Sequence, residues 1–421
     1  MLADVKGIGE DIVPLSRWRC TMAQALAHAL PGSLDRLGQV LGLSQDQAKI
    51  KAGKALIKLF CQPATGNGNV DRNTPHTHPE QWQQFREYAI RDVETLRMIA
   101  GLLPDWNWGD QEVALWHLDQ VINDRGFQVD MDLIRAGAKA SEQEKQQLAE
   151  RFTRLTEGAV GRPTQRQKLR TWLQDRYSLT LPDTQAATLQ RAIADNQTPA
   201  SVREILQLVQ QANKTSTAKY AALHQAVSAD GRFRGGLQFN GASRTRRWSG
   251  RTFQPQNLPS RGLPEQAAIE RYIDALKRGD YRQASVDPMR YASAALRGVL
   301  VAPKGRKLVV ADLANIEGRM LAWLAGERWK LDAFAGFDRG EGSDLYRITA
   351  GHILGVPAAN VSKAQRDVMG KVPELALGYE GGAGAFRQFS QGYGIDMAQY
   401  WPKIQQGLAP RFVRQAKGHW D

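Results

Sequence analysis

The chain has 421 residues with 56 Lys and Arg against 43 Asp and Glu, a formal net charge of +13 that points to a polyanionic partner, most simply nucleic acid. Its length asks for two or three domains, and its 42% apolar and 24% charged content excludes a disordered chain. Two cysteines outside any CxxC pair, Cys20 and Cys61, exclude a disulfide framework and a structural zinc site, and with no signal-peptide pattern and no long apolar run a cytoplasmic, membrane-free protein is expected.

Residues 1–103 read as mostly helical. Met22 to Leu30 is an amphipathic run stopped by Pro31-Gly32, and Ser33 is placed to cap the next helix, which carries Leu34, Leu37 and Leu41. Ser44 to Leu59 continues the pattern, the polar stretch Gln62 to Pro79 reads as a loop, and Gln81 to Leu103 returns to helical period before Pro104. Residues 112–215 are again helical, interrupted by an Asn123-Asp124-Arg125-Gly126 turn and a strand-like FQVD, with long Glu/Gln/Arg-rich segments at 141–156 and 184–213. The composition then changes. From Gly231 to Arg261 there are seven arginines (232, 234, 244, 246, 247, 251 and 261) and no acid, in a Gly/Ser/Asn/Pro-rich context of strand and loop. Lys307 to Ala311 (KLVVA) predicts a buried strand that delivers Asp312 at its end and runs into a helix over Ile316 to Leu324. The remainder, 331–421, is mostly helical with a Gly-rich break at 378–384.

Three constellations carry chemistry. Asp312 and Glu317, a carboxylate at a strand end and a second on the first helical turn, suit a hard cation such as Mg²⁺ bound through oxygen, although a capping aspartate with a surface glutamate is the blander alternative. Lys371, Leu375 and Tyr379 at i, i+4 and i+8, with Arg366 a turn earlier, form a plausible grip on a triphosphate and a base, or an ordinary amphipathic helix with a wet cationic side. The arginine-rich segment, through Gln256-Asn257-Leu258-Pro259, has guanidinium groups for phosphate and amides for base edges.

In this order the three resemble one family, the family-A (DNA polymerase I-like) DNA polymerases, and especially their phage and prophage branch. The matching strings are RTRRWSGRTFQPQNLPSR, DLANIEGR and RDVMGKVPELALGYEGGAGAF, with further similarity at Lys214 to Lys219, Asp230 to Arg232 and Leu296 to Pro303. The resemblance implies an α/β (α+β) right-hand polymerase: a helical 3′–5′ exonuclease-like remnant over 1–103, connector and thumb-like helices over 104–225, a partial palm with the first carboxylate over 226–330, and fingers over 331–421. It implies template-directed deoxynucleotidyl transfer with two Mg²⁺ ions, with primer–template DNA and deoxynucleoside triphosphates as partners, in the bacterial host cytoplasm. Asp312 and the Leu313 carbonyl match the metal ligands, and Glu317 matches the residue that excludes ribonucleotides. Lys371 and Arg366 match the triphosphate contacts, and Tyr379 the residue beside the templating position. Arg247 matches the minor-groove reader of the primer terminus, and Lys214, Lys219, Arg244, Arg251, Gln256 and Asn257 are expected along the duplex.

The departures are specific. Ala314 replaces a serine, Leu375 an aromatic, and Arg366 lies five residues before Lys371 where better-known bacterial members have four. Pro373 inside the helix predicts a kink or a late start. The sequence reaches His419-Trp420-Asp421 without the family's His-Asp-Glu string, so the second catalytic carboxylate is expected from a second chain; a DNA-binding remnant without activity is the alternative. Tyr88 and Asp92 match the last exonuclease motif, but the other exonuclease carboxylates are not in the sequence. They are read as relics whose present role is packing.

Overall fold

Among the described residues, helical period in the N-terminal third becomes α1 (Thr21–Ala27), α2 (Leu34–Val40), α3 (Gly53–Cys61) and α4 (Pro79–Leu102). This computed structural model describes residues 13–43, 53–62, 64–66, 69–213, 215–243, 245–260, 263–378, 381–392, 401–402, 405 and 410–413. Ser33 caps α2 as its sequence position predicts, its hydroxyl accepting from the Arg36 amide at 3.3 Å. The expected loop 62–79 contains instead a small antiparallel pair, β1 (Ala64–Gly66) and β2 (Asn69–Asp71), in the register Ala64 to Asp71. Three-residue strands are too short for alternation to announce them.

The chain divides into two units, Met1–Leu308 and Val309–Asp421. In the first, α5 (Asp110–Arg125) ends at Gly126, whose φ of 63° is the turn that Asn-Asp-Arg-Gly predicts. Beyond it β3 (Phe127–Gln128) pairs antiparallel with β4 (Arg232–Phe233). A Cβ on Gly126 would lie 2.6 Å from the Phe233 carbonyl, so this crossing requires glycine twice over. The 25-residue α6 (Met131–Leu155) follows, capped by Asp130, then α7 (Arg166–Tyr177), α8 (Ala186–Ala194), α9 (Ala200–Ala212) and α10 (Ala218–Ala226). The single segment expected over 184–213 is two helices, because Pro199 cannot sit inside one.

One core gathers Leu133, Ile134, Tyr220, Phe253, Tyr272 and Leu296 from α6, α10, α11 (Gln266–Arg278), α12 (Pro288–Ala295) and the intervening loops. A second joins Phe152 of α6 to Leu169, Leu173, Leu189, Ile205 and Leu206. The first of these cores takes residues from both sides of position 226, so packing does not break there. The strands β5 (Leu237–Gln238) and β6 (Ser249–Gly250) pair antiparallel within the arginine-rich segment.

The second unit holds α13 (Ile316–Ala325), α14 (Arg328–Asp338), α15 (Leu345–Leu354), the short α16 (Lys363–Gln365), a π-helical turn over Arg366–Lys371, α17 (Val372–Leu377) and α18 (Ala383–Gly392). One expectation is overturned. KLVVA is not a buried strand: residues 307–313 have no regular structure, and Val309 and Val310 are 82% and 90% exposed. A strand is stable only where its amides find a ladder, and no strand among the described residues pairs with this segment. Among the described residues the fold is thus mostly helical with three small antiparallel sheets, an α+β arrangement. No helix among the described residues is long and apolar enough to cross a membrane.

Candidate nucleic-acid interface and nucleotide site

The arginine-rich segment sorts into supporting and exposed cations. Arg232 donates to the carbonyls of Arg125 (2.5 Å) and Gly126 (3.0 Å), and Arg234 to that of Asp124 (2.7 Å), so both cap the C-terminal end of α5. Arg234 also holds Asp230 through two bonds of 2.8 and 2.6 Å, and this guanidinium brings the Asp230 carboxyl down to about 2. Arg246 pairs with Glu112 at 2.8 Å. Arg247 and Arg251 are exposed, the latter oriented by the Gln238 side-chain Oε1 at 3.1 and 3.0 Å. Arg244 and Lys214 lie outside the described residues. Gln256 and Asn257 are exposed on a short 3₁₀ turn whose root is the buried Phe253 and Leu258.

Lys219 turns inward, its ammonium donating to the Phe253 and Gln254 carbonyls and lying over the Phe253 ring at 5.8 Å. Burial lowers its pKa. It supports the Gln254–Asn257 loop, and reaching a phosphate would mean exchanging those bonds. Strain gathers in the same segment: Asn240, Arg246, Thr252 and Gln254 have φ of 51°, 55°, 57° and 49°. Such conformations cost about 1–3 kcal/mol each and persist where the surroundings over-determine them, commonly at ligand sites.

In the second unit Asp312, Leu313 and Glu317 are exposed, and Asn315, at φ 52°, turns the chain into α13. Arg319 organises this turn: it donates to the Ala314 carbonyl (2.9 Å), forks onto Asp338 of α14 (2.6 and 2.7 Å) and lies over Phe334 at 4.5 Å. Sequence reasoning places Arg319 within its motif and gives it no role; its position at the seventh residue after Asp312, one helical face back toward the turn, is the signal that could have found it.

Lys371 is half-buried at the end of the π turn, and Tyr379 lies outside the described residues. The π turn accounts for the unusual spacing. In an α-helix Arg366 and Lys371 would diverge by roughly 140°, whereas i to i+5 closure brings such residues back to one face. The Val372 amide bonds the Asp367 carbonyl in this i+5 pattern, immediately ahead of Pro373, which has no amide to give. Gly370 lets the turn pack closely against α15, since a Cβ there would run into the Tyr346 carbonyl. Arg366 itself is engaged by Asp344 (3.0 Å) and Asp367 (2.8 Å) and lies over Tyr346. Glu374, on the next turn, receives Lys330 at 3.4 Å and the Thr349 hydroxyl at 2.7 Å. α13 reaches the same place: a Cβ on Gly378 would lie 3.4 Å from Leu321. The helix that follows Asp312 and the helix that carries Lys371 are therefore neighbours.

No group of three or more His, Cys, Asp or Glu side chains poised for a metal occurs among the described residues. Asp312 alone does not fit a two-ion site; a further carboxylate would have to reach it from outside those residues. Tyr88 is 4% exposed and packs within Leu56 and Phe60, in keeping with a packing role, while Asp92 is half-buried.

The chain is 37% identical over 380 residues to the DNA polymerase of Bacillus phage SP02, covering 89% of this chain and 56% of that protein. It is 42% identical over 71 residues to DNA polymerase I of Pseudomonas aeruginosa (17% of this chain, 7% of that protein) and 29% identical over 123 residues to DNA polymerase I of Aquifex aeolicus (29% and 20%). A solved structure, the POL domain of Pol1 from M. smegmatis in complex with DNA primer-template and dNTP, aligns at TM-score 0.47 and 18% identity over 84% of this chain and 57% of that one. No family model matches. The chain is similar to these DNA polymerases, and it spans about half the length of the phage protein it matches.

Proposed function

We propose that the chain is the primer–template- and nucleotide-binding portion of a template-directed DNA polymerase of family A. The observation that supports this reading is the π turn over Arg366–Lys371, whose i+5 pattern offsets the extra residue between Arg366 and Lys371. Lys371 and Arg366 would take the triphosphate, Glu317 would crowd the sugar 2′ position, and Tyr379 would pack near the templating base. Arg247, Arg251, Gln256 and Asn257 would lie along the duplex with Lys214 and Arg244, while Lys219 supports their loop. The domain roles follow the same reading: exonuclease-like helices, thumb-like helices, palm and fingers, acting in the cytoplasm of a bacterial host.

Relatives named as DNA polymerases imply a divalent metal, and Mg²⁺ is the ion we assign. Asp312 and the Leu313 carbonyl would hold it, together with a second carboxylate from a segment that carries a His-Asp-Glu string. Primer extension with Mg²⁺, four deoxynucleotides and such a fragment in trans tests the reading: extension that Asp312→Ala and Lys371→Ala both abolish supports it, and its absence counts against it. The exposure of residues 309–313 favours a second reading, a DNA-binding chain without turnover. That reading predicts salt-sensitive binding to primer–template DNA in an assay that yields no extended primer.

A further inference from the structure

One face of α5 engages the arginine-rich hairpin at four successive turns. Glu112 pairs with Arg246 at 2.8 Å. Trp116 shares a buried cluster with Phe239 and Trp108. Asp119 is 2% exposed, accepts from Gln120 at 2.9 Å, and has Trp248, Asn123 and the Arg251 charge close by, while its Oδ1 is left without a close hydrogen bond. Asn123 makes a reciprocal pair with Leu237, donating to its carbonyl at 3.1 Å and accepting from its amide at 2.9 Å. Positions 112, 116, 119 and 123 are spaced i, i+4, i+7 and i+11, which is one stripe of a helix.

We infer that this stripe is a clasp that fixes the strained hairpin and aims Arg247 and Arg251, with Asp119 and Asn123 as positioning residues for DNA contact. A carboxylate is costly to bury, and its retention beneath a cationic loop is accounted for if it orients the indole and guanidinium above it. The same holds for Arg246, whose left-handed backbone is held by the Glu112 pair. The clasp stands on these interactions; its use for DNA rests on the polymerase reading.

Two measurements on the full chain separate the two claims. Limited trypsinolysis with mass spectrometry reads cleavage after Arg247 and Arg251 relative to cleavage after Arg151 on α6. Asp119→Ala and Asn123→Ala should raise that ratio about tenfold, as local opening becomes easier, and Asp119→Asn, which keeps an acceptor oxygen, should restore it. Anisotropy with a labelled primer–template duplex should then show about tenfold weaker binding for Asp119→Ala, with the salt slope reduced by about 0.9 for each phosphate that the chain no longer neutralises. An unchanged cleavage ratio in both alanine variants overturns the clasp. A raised ratio with unchanged affinity and slope leaves the clasp but overturns its role in DNA contact. If the unmodified chain binds no duplex at all, the polymerase reading falls, and the trypsin ratio still decides the clasp.

Discussion

Asp230 and Arg234 form a two-bond pair flanking β4, and the guanidinium holds the carboxyl at about 2 against its ordinary 3.8. A depressed folded-state value means that the pair's contribution is fully present above pH 3.8 and is lost as the pH falls through about 2. Carboxyl-carbon NMR should therefore find Asp230 still ionised at pH 3, and Arg234→Gln should return its titration toward the ordinary value; a midpoint near 4 in the unaltered chain would contradict the geometry. Arg366 gives a second expectation. Asp344 has two tasks, holding Arg366 at 3.0 Å and capping α15 by accepting from the Tyr346 amide at 3.1 Å. Asparagine keeps the cap and loses the charge. If Arg366 serves the triphosphate, Asp344→Asn should tighten deoxynucleotide binding by roughly three- to tenfold, in line with the ~1 kcal/mol of a partly exposed ion pair. Calorimetric titration reads it, and weaker or equal binding would give Arg366 a structural role alone.

At the scale of elements the π turn is the part most dependent on particular residues. Gly370→Ala places a methyl against the Tyr346 carbonyl, where backbone must move, so a loss of about 1–3 kcal/mol is expected by chemical denaturation. Smaller than about 0.5 kcal/mol would mean that α15 yields easily. This element was half legible: Pro373 and the five-residue spacing announced a broken helix, but a kink and a π turn share that signature in sequence. Helices α2, α4 and α13 were read from period and caps, which are local. KLVVA was read from its composition, yet whether a β-branched run is buried depends on a partner strand that composition does not report. The polar face of α5 was not legible either, since Asn123 finds its partner 114 residues away. Glu374 and Asp344 escaped for the same reason, as single acids whose meaning lies in Lys330, Thr349 and Arg366.

For the molecule as a whole, a net charge of +13 says that polyanions are attracted but not where they bind. The structure divides the segment's arginines by what they hold: Arg232 and Arg234 bond the carbonyls at the end of α5, while the exposed Arg251 bonds the Gln238 side chain and Arg247 is exposed. Counterion release turns that division into a measurable difference, because each phosphate neutralised adds about 0.9 to the slope of log affinity against log salt. Arg247→Gln with Arg251→Gln should flatten the slope for primer–template DNA by about 1.8, with little change in melting temperature. Arg232→Gln with Arg234→Gln should leave the slope in place and lower the melting temperature, since the end of α5 loses its caps and the β3–β4 crossing its support. The two double variants remove the same charge, so long-range attraction falls equally in both and cannot produce the contrast. Equal slopes in the two would mean that the hairpin meets DNA as a diffuse cationic surface, and a reversal would mean that the capping pair is the one that meets the phosphates.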